Sequence, residues 1–190
     1  MIDLQVHSFE EKIDFPTITD AVELFIKRDD LIHPFISGNK WRKLKYNLIK
    51  ARNENKTHLV TFGGAYSNHL LATAAAGAKF GFKTTAFVRG EKVNNHTLSM
   101  CGMFGMETIF VERELYKNKE ELFNNYYKDH NEVMMLAEGG YGYEAELGCR
   151  EIIQELTQEY QYIFCASGTG ATAAGIINEV AIQKLKTNLN

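Results

Sequence analysis

Short apolar runs alternate along the chain with segments in which apolar residues recur every three or four positions. Residues 39–53 show the second pattern, because one helical face there carries Trp41, Leu44, Leu48 and Ala51. This periodicity predicts helices at 39–53, 68–80, 95–104, 119–128, 144–159 and about 171–186. The apolar runs predict strands at 21–27, 58–62, 84–88, 108–111, 133–136 and 162–166.

Strands and helices that alternate in this way are typical of an α/β protein with three layers. A parallel or mixed sheet forms the middle layer, and helices cover both of its faces. Ligands of such folds bind at the carboxyl ends of the strands. We therefore expect the functional residues in the loops that lead from a strand into the next helix.

Composition and charge exclude several classes of function. The 190-residue chain has a net charge of −3 at pH 7 and scattered basic residues, which is unlike a nucleic-acid-binding surface. Its three cysteines contain no C-x-x-C pair, so neither a disulfide framework nor a metal site is expected. No signal peptide and no membrane-spanning segment are visible. We expect a cytoplasmic protein with no membrane or nucleic-acid partner.

The first informative loop is Ser-Gly-Asn-Lys at 37–40, which opens the helix predicted at 39–53. Lys40 would lie at the positive end of the helix dipole, with Arg42 and Lys43 close by. Crowded positive charges lower the pKa of a lysine, and Schiff-base chemistry requires a neutral amine. The alternative is a solvated basic face at the start of an ordinary helix.

The second loop has the sequence TFGGAYSNH at 61–69 and joins a predicted strand to a helix. Gly63 and Gly64 permit close approach of a ligand to the backbone. Ser67 and Asn68 can cap the helix, and the free N–H groups at its start would bind a carboxylate. Capping after a tight turn, with no ligand, is the alternative.

The third loop has the sequence ASGTGAT at 166–172 and again joins a strand to a helix. Gly168 and Gly170 alternate with the hydroxyl groups of Thr169 and Thr172, which makes a backbone nest suited to a phosphate. The pattern is neither a Walker motif nor a clear G-x-G-x-x-G motif, so a phosphate-bearing cofactor smaller than a nucleotide is favoured. A glycine turn that binds nothing is the alternative.

All three loops fall where an α/β sheet places its ligand contacts. A lysine, a helix start with hydroxyl and amide groups, and a phosphate-binding turn are the parts that a pyridoxal 5′-phosphate (PLP) site requires. The sequence therefore predicts PLP as the cofactor.

Four segments resemble motifs of the 1-aminocyclopropane-1-carboxylate (ACC) deaminase and D-cysteine desulfhydrase family in their order and spacing. They are KRDDLIHPFISGNKWRKL at 27–44, FGGAYSNH at 62–69, EGG at 138–140 with Leu147-Gly148 beyond it, and SGTGATAAG at 167–175. The resemblance implies a fold-type-II PLP enzyme with two α/β domains. Residues 1–55 and 146–190 would form parts of the large PLP-binding domain, and 56–145 would form the small domain. Members of the family are longer than this chain, so the large domain would be incomplete.

The resemblance also implies roles for individual residues. Lys40 would bind PLP covalently and shuttle protons. Asn68 would contact the ring oxygen of PLP, Ser67 would contact the substrate carboxylate or help in proton transfer, and His69 would cap the carboxylate-binding helix start. The phosphate would be held by Lys43 together with Gly168, Thr169, Gly170 and Thr172.

The substrate implied by the resemblance is a small amino acid, from which ammonia and a 2-oxo acid are released. D-Cysteine and ACC are the two candidates. Tyr66 stands where many relatives carry glutamine or another polar residue. It would either line the substrate pocket or simply pack against neighbouring side chains. The alternatives are an inactive truncated fragment and an enzyme like the serine or threonine dehydratases. A homodimer is expected for the full-length protein.

Overall fold

The computed structural model describes residues 2–4, 8–14, 22–36 and 38–189. Within them lie the helices α1 (Asn39–Asn53), α2 (Asn68–Phe80), α3 (His96–Met103), α4 (Lys119–Tyr127), α5 (Tyr143–Gln154) and α6 (Ala171–Gln183). The strands are β1 (Glu10–Ile13), β2 (Leu24–Lys27), β3 (His58–Gly64), β4 (Lys83–Arg89), β5 (Glu107–Val111), β6 (Val133–Met135), β7 (Tyr162–Ile163) and β8 (Asn188–Leu189). Short 3-10 helices span Asp29–Leu31, Leu115–Lys117 and Glu138–Gly140. Positions 21 and 37, which belong to a predicted strand and a predicted loop, lie outside the described residues.

The main sheet has four parallel strands in the order β5-β4-β3-β6. Two smaller pairs lie outside it: β1 and β2 are antiparallel, and β7 and β8 are parallel. Strand β1 and its pairing with β2 were not predicted, and the strand predicted at 21–27 is described only as Leu24–Lys27. The predicted α/β fold with a parallel sheet is confirmed.

Both faces of the main sheet are covered, as successive residues of β4 demonstrate. Ala86 and Val88 pack with Leu70 of α2 and other apolar residues on one face. Phe87, which points the other way, packs in a separate cluster with Leu122 of α4. Since alternate residues of a strand point to opposite faces, helices flank the sheet on both sides, as the three-layer prediction requires.

Two glycines bring α1, α5 and α6 into direct contact. A Cβ atom built on Gly148 of α5 would lie 1.8 Å from the carbonyl oxygen of Arg42 in α1. A Cβ atom built on Gly175 of α6 would lie 2.4 Å from Cβ of Cys149 in α5. Because these helices touch backbone to backbone, the start of α1 is held firmly relative to the start of α6.

Arg42 is the buried centre of an ion cluster that also fixes α1. Its guanidinium is fully buried and donates to both carboxylate oxygens of Asp29, at 3.1 and 2.9 Å, and to both of Glu155, at 2.5 and 2.7 Å. Four charge-assisted bonds satisfy the guanidinium. Arg42 was expected to crowd Lys40 with positive charge, and this expectation is wrong because two carboxylates neutralise the arginine.

The segment after α5 departs most from the sequence prediction. The helix predicted to reach residue 159 ends at Gln154, and the Glu10 carboxylate then accepts hydrogen bonds from the backbone N–H and the hydroxyl of Thr157. The strand predicted at 162–166 covers only Tyr162–Ile163, and Phe164 is 74% exposed. Within the described residues, strand β7 pairs with β8 over two residues, and neither strand joins the main sheet. Cys165, which lies within the predicted strand, is partly exposed.

No helix within the described ranges combines the length and the apolar character that a membrane crossing requires.

Candidate functional site

The amino-terminal end of α1 borders a cleft with a volume of about 340 Å³. The residues that line it are Pro34, Phe35, Gly38, Asn39, Lys40, Asn68 and Leu71. Lys40 lies in the first turn of α1, and Asn68 is the first residue of α2. Two of the three predicted loops therefore open onto the same cleft.

The amine of Lys40 is partly buried, and its pKa is lowered from the usual lysine value. Burial is the main cause, and the positive charge of Lys43 one helical turn away adds to it. The direction agrees with the sequence prediction, but the arginine between these two residues makes no contribution. A lowered pKa increases the fraction of neutral, nucleophilic amine at neutral pH.

Two side chains join the start of α1 to the third predicted loop. Nζ of Lys43 donates to Oγ1 of Thr169 at 3.2 Å, and the side-chain amide of Asn39 donates to Oγ1 of Thr172 at 3.0 Å. Lys43 is only 3% exposed, and burial lowers its pKa. The structure therefore places the glycine loop directly beside the residues that flank Lys40.

The glycine loop at the start of α6 has room for an anion. A Cβ atom at Gly168 or Gly170 would meet no atom within 4 Å, and Gly170 has a φ of +82°, which favours glycine. The first turn of α6 contains no acidic residue that would compete for its N–H groups. Free N–H groups, the buried ammonium of Lys43 and the neighbouring threonine hydroxyls together fit a phosphate group.

Gly139 and Gly140, which we call the glycine wall, pack against the third predicted loop and against α1. Gly139 and Gly140 have φ values of +69° and +73°. A Cβ atom on Gly139 would lie 2.8 Å from Cγ2 of Thr169, and one on Gly140 would lie 3.1 Å from Cβ of Lys43. Only glycine fits both the conformation and the space, which gives the EGG motif a role that the sequence left open.

The start of α2 is capped by Ser67, whose Oγ accepts from the backbone N–H of His69 at 3.3 Å. The serine hydroxyl keeps its own hydrogen, which can be donated outward. Tyr66 is 77% exposed, so it does not pack in the interior.

The imidazole of His69 lies in the interior rather than at the helix start. It is 2% exposed, and its Nε2 lies 2.9 Å from Oγ1 of Thr61. Burial, followed by the charges of Lys40 and Lys43, lowers the pKa of His69 to about 3. The expectation that His69 caps α2 is therefore corrected, because Ser67 takes that place.

Cys149 also borders the site, although the sequence offered no signal for it beyond an isolated cysteine. Its thiol is buried and lies within hydrogen-bonding reach of the Thr172 hydroxyl. Burial raises the pKa of this thiol to about 11, so it is neutral at physiological pH. Among the described residues, no group of three or more metal-ligating side chains is clustered.

Comparison with known protein families gives one match that spans most of the chain. The model of the family described as pyridoxal-phosphate dependent enzymes matches residues 12–188.

Individual relatives agree with this match. A Thermotoga maritima protein, provisionally named a 1-aminocyclopropane-1-carboxylate deaminase, is 35% identical over 163 residues, which cover 80% of this chain and 52% of that protein. A D-cysteine desulfhydrase of Yersinia pestis is 28% identical over 178 residues, covering 86% of this chain and 53% of the relative. The crystal structure of an ACC deaminase homologue superposes with a TM-score of 0.83 at 25% identity, covering 97% of this chain and 59% of that chain. The chain thus spans about half the length of the curated relatives it matches.

Proposed function

Because the chain belongs to the family of pyridoxal-phosphate dependent enzymes, we propose that Lys40 binds PLP covalently in an enzyme that releases ammonia and a 2-oxo acid from a small amino acid. One observation carries the proposal. Lys40 and Asn68 line the same cleft, while Asn39 and Lys43, which precede and follow Lys40 in α1, contact the glycine loop. The proposed substrates are D-cysteine and ACC, because relatives named for each of these activities match the chain.

The residues of the site suit the parts of PLP. Lys43 and the loop of Gly168, Thr169, Gly170 and Thr172 would hold the phosphate, and Asn68 would hydrogen-bond the ring oxygen. When bound, PLP withdraws electrons from the α-carbon of an amino acid and so weakens the bonds to that carbon.

Lys40 has two tasks in this proposal. Its lowered pKa provides a neutral amine, through which Lys40 would hold the cofactor. When it is not bonded to the cofactor, Nζ of Lys40 would accept a proton from the substrate and return it to another atom of the substrate.

The start of α2 would bind the carboxylate of the substrate. Ser67 uses an oxygen lone pair to cap the helix, so its hydroxyl hydrogen can be donated to a carboxylate oxygen. The positive end of the helix dipole favours the same anion, and no acidic residue lies in the first turn of α2. Tyr66, which is exposed and directly precedes Ser67, would contact the substrate side chain.

We also propose the domain division implied by the sequence. The four strands of the main sheet all fall within 56–145, which would form the small domain. Helices α1, α5 and α6, which pack closely on one another, fall mainly in 1–55 and 146–190 and would form part of the large domain. A homodimer of the full-length protein stays a prediction that light scattering can test.

Absorbance spectroscopy tests the cofactor proposal. The purified chain mixed with PLP should develop a visible band, and borohydride reduction should leave the cofactor covalently attached to the peptide that contains Lys40. Lys40→Ala should abolish both signals, whereas Lys79→Ala, which removes an exposed lysine from α2, should leave them unchanged. A folded wild-type chain that develops no band would contradict the proposal.

Turnover is tested separately with D-cysteine, ACC, L-serine and L-threonine, by measuring ammonia and 2-oxo acid. Release from D-cysteine or ACC supports the proposed activity, and preferential turnover of L-serine or L-threonine favours a dehydratase. A second candidate is a chain that binds PLP without turnover. It is favoured by the length of the chain, about half that of its relatives, and a visible band without product would support it.

A further inference from the structure

The side chain of Asn95 connects the start of α3 to the loop that precedes α2. Its Oδ1 accepts from the backbone N–H of Leu98 at 2.9 Å and so caps α3. Its Nδ2 donates to the carbonyl oxygen of Ala65 at 3.0 Å. Since a backbone N–H can only donate and a carbonyl can only accept, the side-chain amide has one possible orientation. Asn95 therefore acts on two elements at once.

The carbonyl of Ala65 lies in the middle of a tight turn. The backbone N–H of Ser67 donates to the carbonyl oxygen of Gly64 at 3.0 Å, so the turn encloses Ala65 and Tyr66. The peptide unit between these two residues takes no part in that hydrogen bond, and its orientation is what distinguishes one turn type from another. Because a peptide unit is planar, a bond to its carbonyl also fixes the direction of the Tyr66 N–H.

Apolar packing places the turn near α3 but does not orient its carbonyl. Ala65 packs against the cluster that contains Leu70 of α2 and Leu98 of α3, whereas the next residue, Tyr66, is mostly exposed. Contacts between apolar side chains are not directional. The direction of the Ala65 carbonyl therefore depends on the amide of Asn95.

We infer that Asn95 is a positioning residue for the substrate carboxylate, because it fixes the turn at 64–67 from which Ser67 and the N–H of Tyr66 would reach this group. Ser67 closes the turn and also caps α2 through an oxygen lone pair, so a shift of the turn moves its hydroxyl. The inference rests on the proposed function, in which the start of α2 binds the carboxylate. Asn95 itself does not touch the substrate in this arrangement.

Two substitutions of Asn95 remove the donor and keep the helix cap. In Asn95→Asp, one carboxylate oxygen still accepts from Leu98, but the other cannot donate to Ala65. In Asn95→Ser, the hydroxyl can cap α3, but the side chain is too short to reach Ala65, and it introduces no charge. Aspartate and serine are both good capping residues, so both variants should keep the Tm of the wild-type chain.

Asn118→Asp is the matched control, because Asn118 caps α4 in the same way. Its Oδ1 accepts from the backbone N–H of Glu121 at 3.3 Å. Its Nδ2 donates to the carboxylate of the same glutamate at 2.7 Å, so this amide bonds within its own helix start and not to the turn. The control therefore makes the same chemical change at a helix cap without affecting the turn.

The measurement is ligand binding to the PLP-loaded chain, followed by the change in its visible absorbance. ACC and cyclopropylamine are compared, because they differ only in the carboxylate. Asn95→Asp and Asn95→Ser should weaken ACC binding about fivefold, as the loss of one hydrogen bond predicts, and leave cyclopropylamine binding unchanged. Equal weakening of both ligands would indicate general damage, and weakening of ACC by aspartate alone would indicate a charge effect. Either result, or unchanged binding of ACC, would overturn the inference.

Failure of the proposed function is recognised separately, because the turn can be followed without any ligand. Hydrogen exchange of the Ser67 amide, which closes the turn, should be about fivefold faster in both Asn95 variants and unchanged in Asn118→Asp. If the wild-type chain binds neither PLP nor ACC, the proposed function fails, and the exchange rates alone decide whether Asn95 holds the turn. Equal exchange rates in all variants would show that it does not. If the Asn95 variants do not fold, nuclear Overhauser effects in the wild-type chain should join the Asn95 amide to Tyr66, and their absence would overturn the inference.

Discussion

Replacing Gly148 with alanine should destabilise the protein by forcing α1 away from α5. The new Cβ would start 1.8 Å from the carbonyl oxygen of Arg42 and 2.8 Å from its carbonyl carbon, and both are backbone atoms. Reaching an ordinary contact of 3.4 Å requires a local displacement of about 1.6 Å. No side-chain rotation can provide it, so the two helices must move apart.

The cost follows from general values for overpacked interiors. Strain of this kind costs about 3 kcal/mol, and the higher helix propensity of alanine returns about 1 kcal/mol. A net loss of about 2 kcal/mol corresponds to a fall in Tm of about 4–8 °C for a chain of this size. Affinity for PLP should fall as well, because α1 carries both lysines that we propose to bind the cofactor.

Thermal and urea unfolding followed by circular dichroism would measure the effect. Gly102→Ala is the matched control, because a Cβ atom on Gly102 in α3 would meet no atom within 4 Å. That variant should be stabilised by up to about 1 kcal/mol. If Gly148→Ala proved as harmless as Gly102→Ala, the close contact between α1 and α5 would be refuted.

Three further predictions follow from the same structure. Arg42→Met should lower the free energy of unfolding by about 2 kcal/mol, because it leaves the partly exposed carboxylates of Asp29 and Glu155 without their buried counter-charge. Arg28→Met, at a more exposed ion pair, should have little effect in the same urea titration. The pKa of His69 is 6.5 in the unfolded chain and about 3 in the folded chain, because the folded protein buries the ring. Between these two pH values only the unfolded chain binds the proton, so the free energy of unfolding should fall as the pH drops through this range. Urea unfolding at pH 7 and pH 5 should show a smaller pH dependence in His69→Gln, and an equal dependence would contradict the burial of a neutral imidazole. Lys43→Met should weaken PLP binding about tenfold in equilibrium dialysis, whereas Lys45→Met should not.

The parts of the fold that depend on local sequence were predicted well. The bounds of α1 and α2 agree with the prediction, because each helix has a continuous apolar face, and Gly81 adopts the left-handed conformation that ends α2. The strands of the main sheet are within two residues of their predicted limits. Periodicity and capping are properties of neighbouring residues, so the sequence suffices to specify them.

Features that depend on distant contacts were not predictable in this way. The charge of Arg42 looked like part of a basic cluster, and only the fold brings Asp29 and Glu155 to it. His69 adjoins the helix cap in sequence, yet the ring turns inward because Thr61 offers an acceptor there. The apolar run at 162–166 resembled a buried strand, but burial requires neighbours that a strand pattern alone does not provide.

The glycine wall limits how a site of this design can change. A Cβ atom at Gly139 would meet Thr169 of the third loop, and one at Gly140 would meet His69 of the second loop and Lys43 of α1, so any larger side chain there would disturb all three segments at once. Substitutions at these two glycines therefore cannot change substrate specificity by moving one loop alone. Tyr66 is under no such constraint, since most of its surface meets solvent, and exchanging it disturbs no packed neighbour. Substitutions that change what the site admits are therefore expected at Tyr66 rather than at Gly139 and Gly140.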